Sequence, residues 1–393
     1  MNAIRPALRS LASLRLTVVL FVLSMVLILA GTLAQTQQGI WLVVDEYFRS
    51  ILVLIPFQLF VPEKIVRLPG VFPFPGGLTL GVLLFANLLA AHAVRFKPSW
   101  KRTGMILTHA GVLLLLVGEF VTGAFAKEGN MTIAEGASSN YIEDRRTCEL
   151  VVVDQSDPTD DLVVSVPRGM LEDPDTTISH GLLPFTVRVA EWMPNSRLLG
   201  PMQASQAQIA KATAGIGRQV AASPVAVSTG VDGADVDIPA AYIELMRGDA
   251  SLGTYLVTPW LTMAQEVDVG GKRYAIALRF ERNYRPYTIS LIDFRHDRFV
   301  GTQVARNFSS QVRLVDPTRG VDREVLISMN NPLRYEGETF YQASFAPDDS
   351  GTVLQVVRNP GWLLPYISCT VVTLGMLVHF GVRMWESTRR RLA

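Results

Sequence analysis

Residues Leu16 to Ala34 read LTVVLFVLSMVLILAGTLA, an uncharged apolar run that decides the class of the protein. A helix of that length covers ~30 Å, the thickness of a bilayer's hydrocarbon core. Arg5, Arg9 and Arg15 stand before it as they would before a signal peptide. The apolar part is too long for a signal core, however, so a retained anchor is expected. The same pattern predicts three further spans, at 78–94, 104–125 and 362–382. Pro365 falls in the first turn of the last, where its missing N–H breaks no helical hydrogen bond.

Charge orients these spans. The N-terminal segment 1–15 carries Arg5, Arg9 and Arg15, and the hinge 95–103 carries Arg95, Lys97, Lys101 and Arg102. The tail 383–393 carries Arg383, Arg389, Arg390 and Arg391. If the spans alternate, all three clusters lie on one side, which the positive-inside rule makes cytoplasmic. The expectation is a multi-pass protein of the bacterial cytoplasmic membrane, both termini inside and residues 126–361 outside. The first outer loop, 35–77, contains the apolar stretch YFRSILVLIPFQLF at Tyr47–Phe60, broken by Arg49 and Pro56. A fifth crossing there would invert every later charge cluster, so an interfacial or re-entrant segment against membrane lipid is expected. Leu68–Gly77, rich in Pro and Gly, reads as a turn-rich return to the membrane.

Composition narrows the rest. Among 393 residues, 36 Lys+Arg balance 35 Asp+Glu, and a net charge of +1 gives no electrostatic basis for binding nucleic acid. Cys148 and Cys369 form neither CxxC nor CxxCH, so the chain has no thiol-redox motif and is not itself a c-type cytochrome. One falls in an external segment and the other mid-span, so no disulfide is expected between them.

From Cys148 onward short runs alternate Val, Ile, Tyr and Phe with polar residues: 149–153, 162–166, 185–189, 274–280, 288–293 and 311–315. Each has one apolar face to bury, which predicts a mostly-β, antiparallel, sandwich-like external domain. Residues 203–233, dominated by Ala, Ser, Gln and Gly, read as a surface excursion, part helical and part mobile.

The domain closes on ISMNNPLRYEGETFYQASF, Ile327–Phe345. This string resembles the N-x-P-L-x-Y-x-G-x-x-F-Y-Q-x-S signature of the ResB/CcsB family of cytochrome c biogenesis proteins, on Pro332, Leu333, Tyr335, Gly337, Phe340, Tyr341, Gln342 and Ser344. SLRL at Ser13–Leu16, GTLAQ at Gly31–Gln35, YFRS at Tyr47–Ser50 and THAGVLLLLVG at Thr108–Gly118 are similar to the family in order and position. So are EGNM at Glu128–Met131 and LQVVRNPG at Leu354–Gly361. The resemblance implies one half of a two-component cytochrome c synthetase (system II). Its companion would be a CcsA-type haem-handling membrane protein, its substrates haem and apocytochrome c. The tryptophan-rich external loop expected of that companion has no counterpart among the six scattered tryptophans here. With four spans the chain reads as the partner of the haem-presenting half rather than that half or a fusion of the two, a non-catalytic or co-catalytic subunit to which no catalytic residue is assigned.

Three histidines, His92, His109 and His379, fall near the basic ends of the spans. An ionisable ring in a bilayer is costly and tends to mark a function, and imidazole is a favoured ligand for iron. At ~100° per residue, Gly104, Thr108, Gly111, Gly118 and Thr122 share a narrow arc suited to close helix packing, and His109 projects away from it. The resemblance implies that a histidine on this helix is an axial ligand of a membrane haem, which makes His109 the leading candidate. A histidine hydrogen-bonded within the bundle is the alternative. His379 shares a face with Pro365, Ser368 and Gly375 and is expected to point at another helix; His92 ends its span and can snorkel to the interface. Both are weaker haem-ligand candidates, and no other metal is expected. His180 and His296 read as solvated. From a different class, a haem-free membrane-anchored scaffold fits the same spans; the absence of an inverted repeat argues against a transporter.

Overall fold

The computed structural model describes every residue except 1–3, 37, 39, 63–64, 96–98, 158–159, 175, 228–235, 299–304, 347–349 and 393. The helices are α1 (Ile4–Leu11), α2 (Leu14–Ala34), α3 (Ile40–Val43), α4 (Gly77–Arg95), α5 (Thr103–Phe125), α6 (Gln206–Ile209) and α7 (Leu364–Leu392). The first strands are β1 (Leu52–Pro56), β2 (Val71–Pro75), β3 (Lys127–Ala134), β4 (Ser138–Asp154), β5 (Leu162–Pro167) and β6 (Thr177–Ile178). Then follow β7 (Thr186–Met193), β8 (Ser196–Leu199), β9 (Ala221–Pro224), β10 (Ala240–Arg247), β11 (Ala250–Val257) and β12 (Gln265–Val269). The last are β13 (Lys272–Arg298), β14 (Ala305–Asp316), β15 (Val321–Ser328), β16 (Leu333–Tyr335), β17 (Glu338–Phe345) and β18 (Gly351–Arg358). Two compact units result: one of Met1–Lys127 with Arg358–Ala393, the other of Glu128–Ser228 with Ala234–Val357.

The first unit is helical. Four of its helices, α2, α4, α5 with its preceding turn, and α7, are long and apolar enough to cross a membrane. Their outward faces carry exposed Val18, Phe21, Val22, Met25, Ile28, Leu374, Leu377 and Phe380, side chains suited to lipid rather than water. Helix α7 continues well beyond residue 382, so that the basic tail is helical as far as Leu392.

The small-residue arc of α5 meets α7. A Cβ added at Gly104 would lie 2.4 Å from the His379 backbone nitrogen, and one at Gly111 2.9 Å from the Ser368 carbonyl oxygen. Gly375 of α7 meets Thr108 in the same way, and the Ser368 hydroxyl donates to the Gly111 carbonyl across 2.8 Å. Glycine lets the two backbones touch, which is how apolar helices associate without a hydrophobic driving force. Replacing Gly111 with Leu should therefore force α7 away; we expect a loss of about 1–3 kcal/mol or more, measured as a lower midpoint of thermal unfolding in detergent. An unchanged midpoint would show that the helices are not held at this contact.

Asn87 holds the other side of the bundle. It is 3% exposed; its carbonyl accepts from the Thr17 hydroxyl at 2.7 Å and its amide donates to the Leu11 carbonyl at 2.6 Å. It thereby satisfies the backbone where the chain breaks between α1 and α2. The outer loop is a β-hairpin, β1 pairing with β2. The stretch 68–77, expected to be a turn-rich return, contains a strand, because Pro73 and Pro75 occupy positions that need no donor in the ladder.

The second unit is built on two long strands, β4 and β13, each serving two cores. Near its start β13 pairs with β12 and β4, and β4 with β5; the sheet β11-β10-β7-β6 packs against these. The core between them holds Leu150, Val152, Val187, Val189, Ile243, Leu245, Ile276 and Leu278, the inward members of alternating runs. This lobe is the expected antiparallel sandwich. The β13–β4 ladder is interrupted between Tyr284 and Ile289, where Pro286 has no N–H to offer. Beyond it, β13, β14, β15, β3 and β16–β18 enclose a second core of Met131, Ile289, Leu291, Val312, Leu314, Ile327, Leu333, Phe340 and Leu354. Sequence periodicity did not separate these lobes, since one strand runs through both.

As far as they are described, residues 203–233 are part helical through α6, and part of the segment is also packed into the lobe. Strand β9 pairs with β8, Ala212 and Ala222 are buried with Tyr242 and Leu256, and the Ala222 N–H donates to the Tyr242 hydroxyl. Small side chains here allow close packing rather than mobility: a Cβ at Gly217 would lie 2.6 Å from that of Ala212. Both cysteines are free. Burial pushes the Cys148 thiol up to about 12, which leaves it unreactive near neutral pH.

Candidate functional site

His92 lies near the end of α4 and His109 in the first half of α5, both half-buried. The short hinge folds the two helices back on each other and brings their rings together, centroids 5.0 Å apart and planes at 80°. His92 is further fixed by a 2.9 Å contact from Nδ1 to the Leu88 carbonyl. A carbonyl only accepts, so Nδ1 is the donor in this contact, which leaves Nε2 as the nitrogen open to other partners. A ring whose other N–H is held by a backbone carbonyl is the form in which histidine ordinarily ligates a metal. The sequence offered His92 as the weaker residue; the fold makes it the neighbour of His109.

This spacing also limits what the pair can do. A haem held by both histidines would have to lie between their rings. At 5.0 Å and edge to face, the two rings touch each other. In this arrangement nothing lies between the two rings.

His379 is elsewhere. Its backbone packs on Gly104, five residues before His109 in α5, and its ring lies 5.6 Å from that of Phe380, edge to face. The expected helix-facing surface of α7 is therefore present, through Ser368, Gly375 and the His379 backbone. Among the described residues no group of three or more His, Cys, Asp or Glu is placed to hold a metal ion. In the second unit His180 is exposed in a turn, as expected. His296 is not solvated: it is half-buried with its ring 4.6 Å from Phe308 and 4.5 Å from Phe345. The register that pairs His296 with Phe308 puts the imidazole on the apolar face of β13, which the charged neighbours in sequence disguised.

The closing motif builds one wall of the second lobe. Ser328 and Asn331 exchange backbone hydrogen bonds of 3.0 and 3.1 Å, closing the turn before Pro332. Leu333 and Phe340 are buried opposite each other on β16 and β17. Glu336 (φ 50°) and Gly337 (φ 75°) form the two-residue turn between these strands, a type I′ geometry that requires positive φ at both positions. The Tyr335 hydroxyl donates to Asp316 at 2.6 Å; with Thr318 it holds that carboxyl below the usual range. Gln342 accepts from Ser310 at 2.6 Å and donates to Thr352 at 2.9 Å, tying β17 to β14 and β18. Tyr341 and Ser344 face outward, exposed.

A residue inside the motif escaped the sequence reading. Glu338 is 3% exposed, is gripped by Arg285 through contacts of 3.0, 3.1 and 2.7 Å, and accepts a hydrogen bond from Tyr287. Burial first, then the carboxylate beside it, pushes the Tyr287 phenol well above its ordinary value. Glutamate in an alternating strand reads as solvated, and its partners lie 51 and 53 residues away, so no local pattern pointed to it.

Residues 262–353, which include β12 and the motif, match the model of the ResB-like family. Protein NrfI of Wolinella succinogenes is 37% identical over 92 residues, 23% of this chain. That match spans 10% of the length of NrfI. The resemblance read from Ile327–Phe345 is borne out over residues 262–353, which are similar to the ResB-like family.

Proposed function

We propose that this chain is the ResB-like membrane subunit of a system II cytochrome c synthetase. It would support the passage of haem across the membrane and the joining of haem vinyl groups to the CxxCH thiols of apocytochrome c. The observation that carries this reading is the ResB-like segment 262–353, set in a chain with four helices able to cross a membrane. The companion would be a CcsA-type haem-handling membrane protein, and the basic ends of the spans would lie in the cytoplasm, with the second unit outside.

Haem is cargo here, and the residues that would meet it are His109 and His92. His109 would take one axial position, His92 would orient it, and the other face of the iron would be met from another chain, because these two rings do not bracket a plane. Axial imidazole holds iron and tunes its redox state. The second unit would dock the companion or the apocytochrome; bond formation belongs to the complex.

Co-expression tests this reading. A CxxCH apocytochrome should become haem-stained only when this chain and a CcsA-type protein are both present. Equal staining without this chain would overturn it.

The scaffold reading draws on the same ring contact. An edge-to-face imidazole pair can close α4 on α5 with no metal at all. In that case cytochrome yield would depend on the second unit and not on either histidine.

A further inference from the structure

The β1–β2 hairpin in the first unit is apolar on both faces. Val53 and Ile55 point into the bundle core with Leu27, Ala30, Val43 and Tyr47. Leu52, Leu54 and Val71 point the other way and are 60%, 59% and 52% exposed. Beside them Phe57, Phe60, Ile65 and Val66 are also exposed, and Phe72 stacks with Phe57 and Phe60 at 5.2 and 6.4 Å.

Its backbone is arranged to need little water. Gly76 donates to Ile51 and Phe57 to Gly70, so with the register 53↔74 and 55↔72 the odd residues of β1 are the hydrogen-bonded ones. The outward positions are then 52, 54 and 56 on β1 and 71, 73 and 75 on β2. Pro56, Pro73 and Pro75 occupy three of these six, so only Leu52, Leu54 and Val71 present outward N–H groups. Gln58 closes the connecting loop from inside: its side chain donates to the Val61 and Val66 carbonyls at 2.7 and 3.1 Å and accepts from the Leu68 N–H at 2.7 Å. Proline at the outward positions also denies a partner strand the donors that edge pairing needs.

A hairpin in water gains nothing from this arrangement, and one in the hydrocarbon core would still have open edges. We propose that the outer face of the β1–β2 hairpin is a lipid-contact surface, seated at the acyl–headgroup boundary of the leaflet where α2 ends and α4 begins. The remaining carbonyls reach headgroup water there, exposed Arg67 reaches lipid phosphate, and the side chains continue the lipid-facing surfaces of the spans. This holds whether or not the chain handles haem.

The full chain carrying Leu54→Cys and Cys369→Ser, labelled with an environment-sensitive fluorophore in phosphatidylcholine–phosphatidylglycerol vesicles, tests it. Cys148 is buried and unreactive, so it stays unlabelled. Aqueous iodide should quench this probe at least roughly threefold less than a probe at exposed Tyr284→Cys, while shallow spin-labelled lipid quenches it more than deep spin-labelled lipid. Iodide quenching equal to Tyr284→Cys would mean water. Quenching by neither agent, as expected at fully buried Ile55→Cys, would mean a protein cover, and stronger quenching by the deep lipid would mean the core; each overturns the proposal. Val71→Cys provides the same readout from the opposite strand should Leu54→Cys fold poorly.

Discussion

Replacing His109 with Ala is expected to lower the yield of haem-stained cytochrome c more than about tenfold, since the axial position would be lost outright. His92→Ala should cost about tenfold, the usual effect of removing a group that orients a ligand. The two effects should not multiply, because on the proposed reading His92 would act through His109, whose ring lies 5.0 Å away. Imidazole added to cells carrying His109→Ala should restore part of the yield, and should restore none where the residue serves only to pack helices through the chain's own backbone. The measurement is densitometry of haem-stained cytochrome in a host that depends on this chain. Wild-type yield in both variants would remove haem from this pair and favour the scaffold.

Glu338→Ala should strongly destabilise the second unit. Glu338 is 3% exposed and the Arg285 side chain 23%, so removing the carboxylate leaves a largely buried guanidinium without its counter-charge. Such a loss costs about 3–5 kcal/mol in general, and the partial exposure of Arg285 argues for the lower end. For a unit of this size about 3 kcal/mol corresponds to a fall of roughly 6–12 °C in the unfolding midpoint. The double variant Glu338→Ala, Arg285→Met should recover much of it, because an apolar replacement of both partners removes the stranded charge. A drop of a degree or less in Glu338→Ala would mean that water reaches the guanidinium freely and that the pair is a surface bridge.

The two effects also mark what a single sequence can carry. The spans were legible because twenty apolar residues in a row have one physical use. The α5–α7 contact was legible too: Gly104, Thr108 and Gly111 lie on one arc, and small residues on an arc mean a close neighbour. Which helices stand side by side is a different kind of fact. Nothing in α4 alone said that His92 would face α5 rather than the interface, because the hinge that turns the chain fixes only that the helices are neighbours, not their rotation. His296 was misread for a related reason: its sequence neighbours Arg295, Asp297 and Arg298 are charged, yet on a strand alternate residues belong to opposite faces. Glu338 and Arg285 are joined across 53 residues, and only strand register puts them together. The closing motif was visible as a string, while its function as turn, core and buried ion pair was visible only in three dimensions.

The most direct test of the haem-handling reading is the visible spectrum of the detergent-purified chain, alone and with a CcsA-type companion, for wild type and His109→Ala. The expected result on the proposed reading is a Soret band with sharp reduced α and β bands that needs the companion, which would supply the second ligand, and that is lost in the variant. A spectrum without haem in every wild-type sample, or an unaltered haem spectrum in His109→Ala, would contradict it.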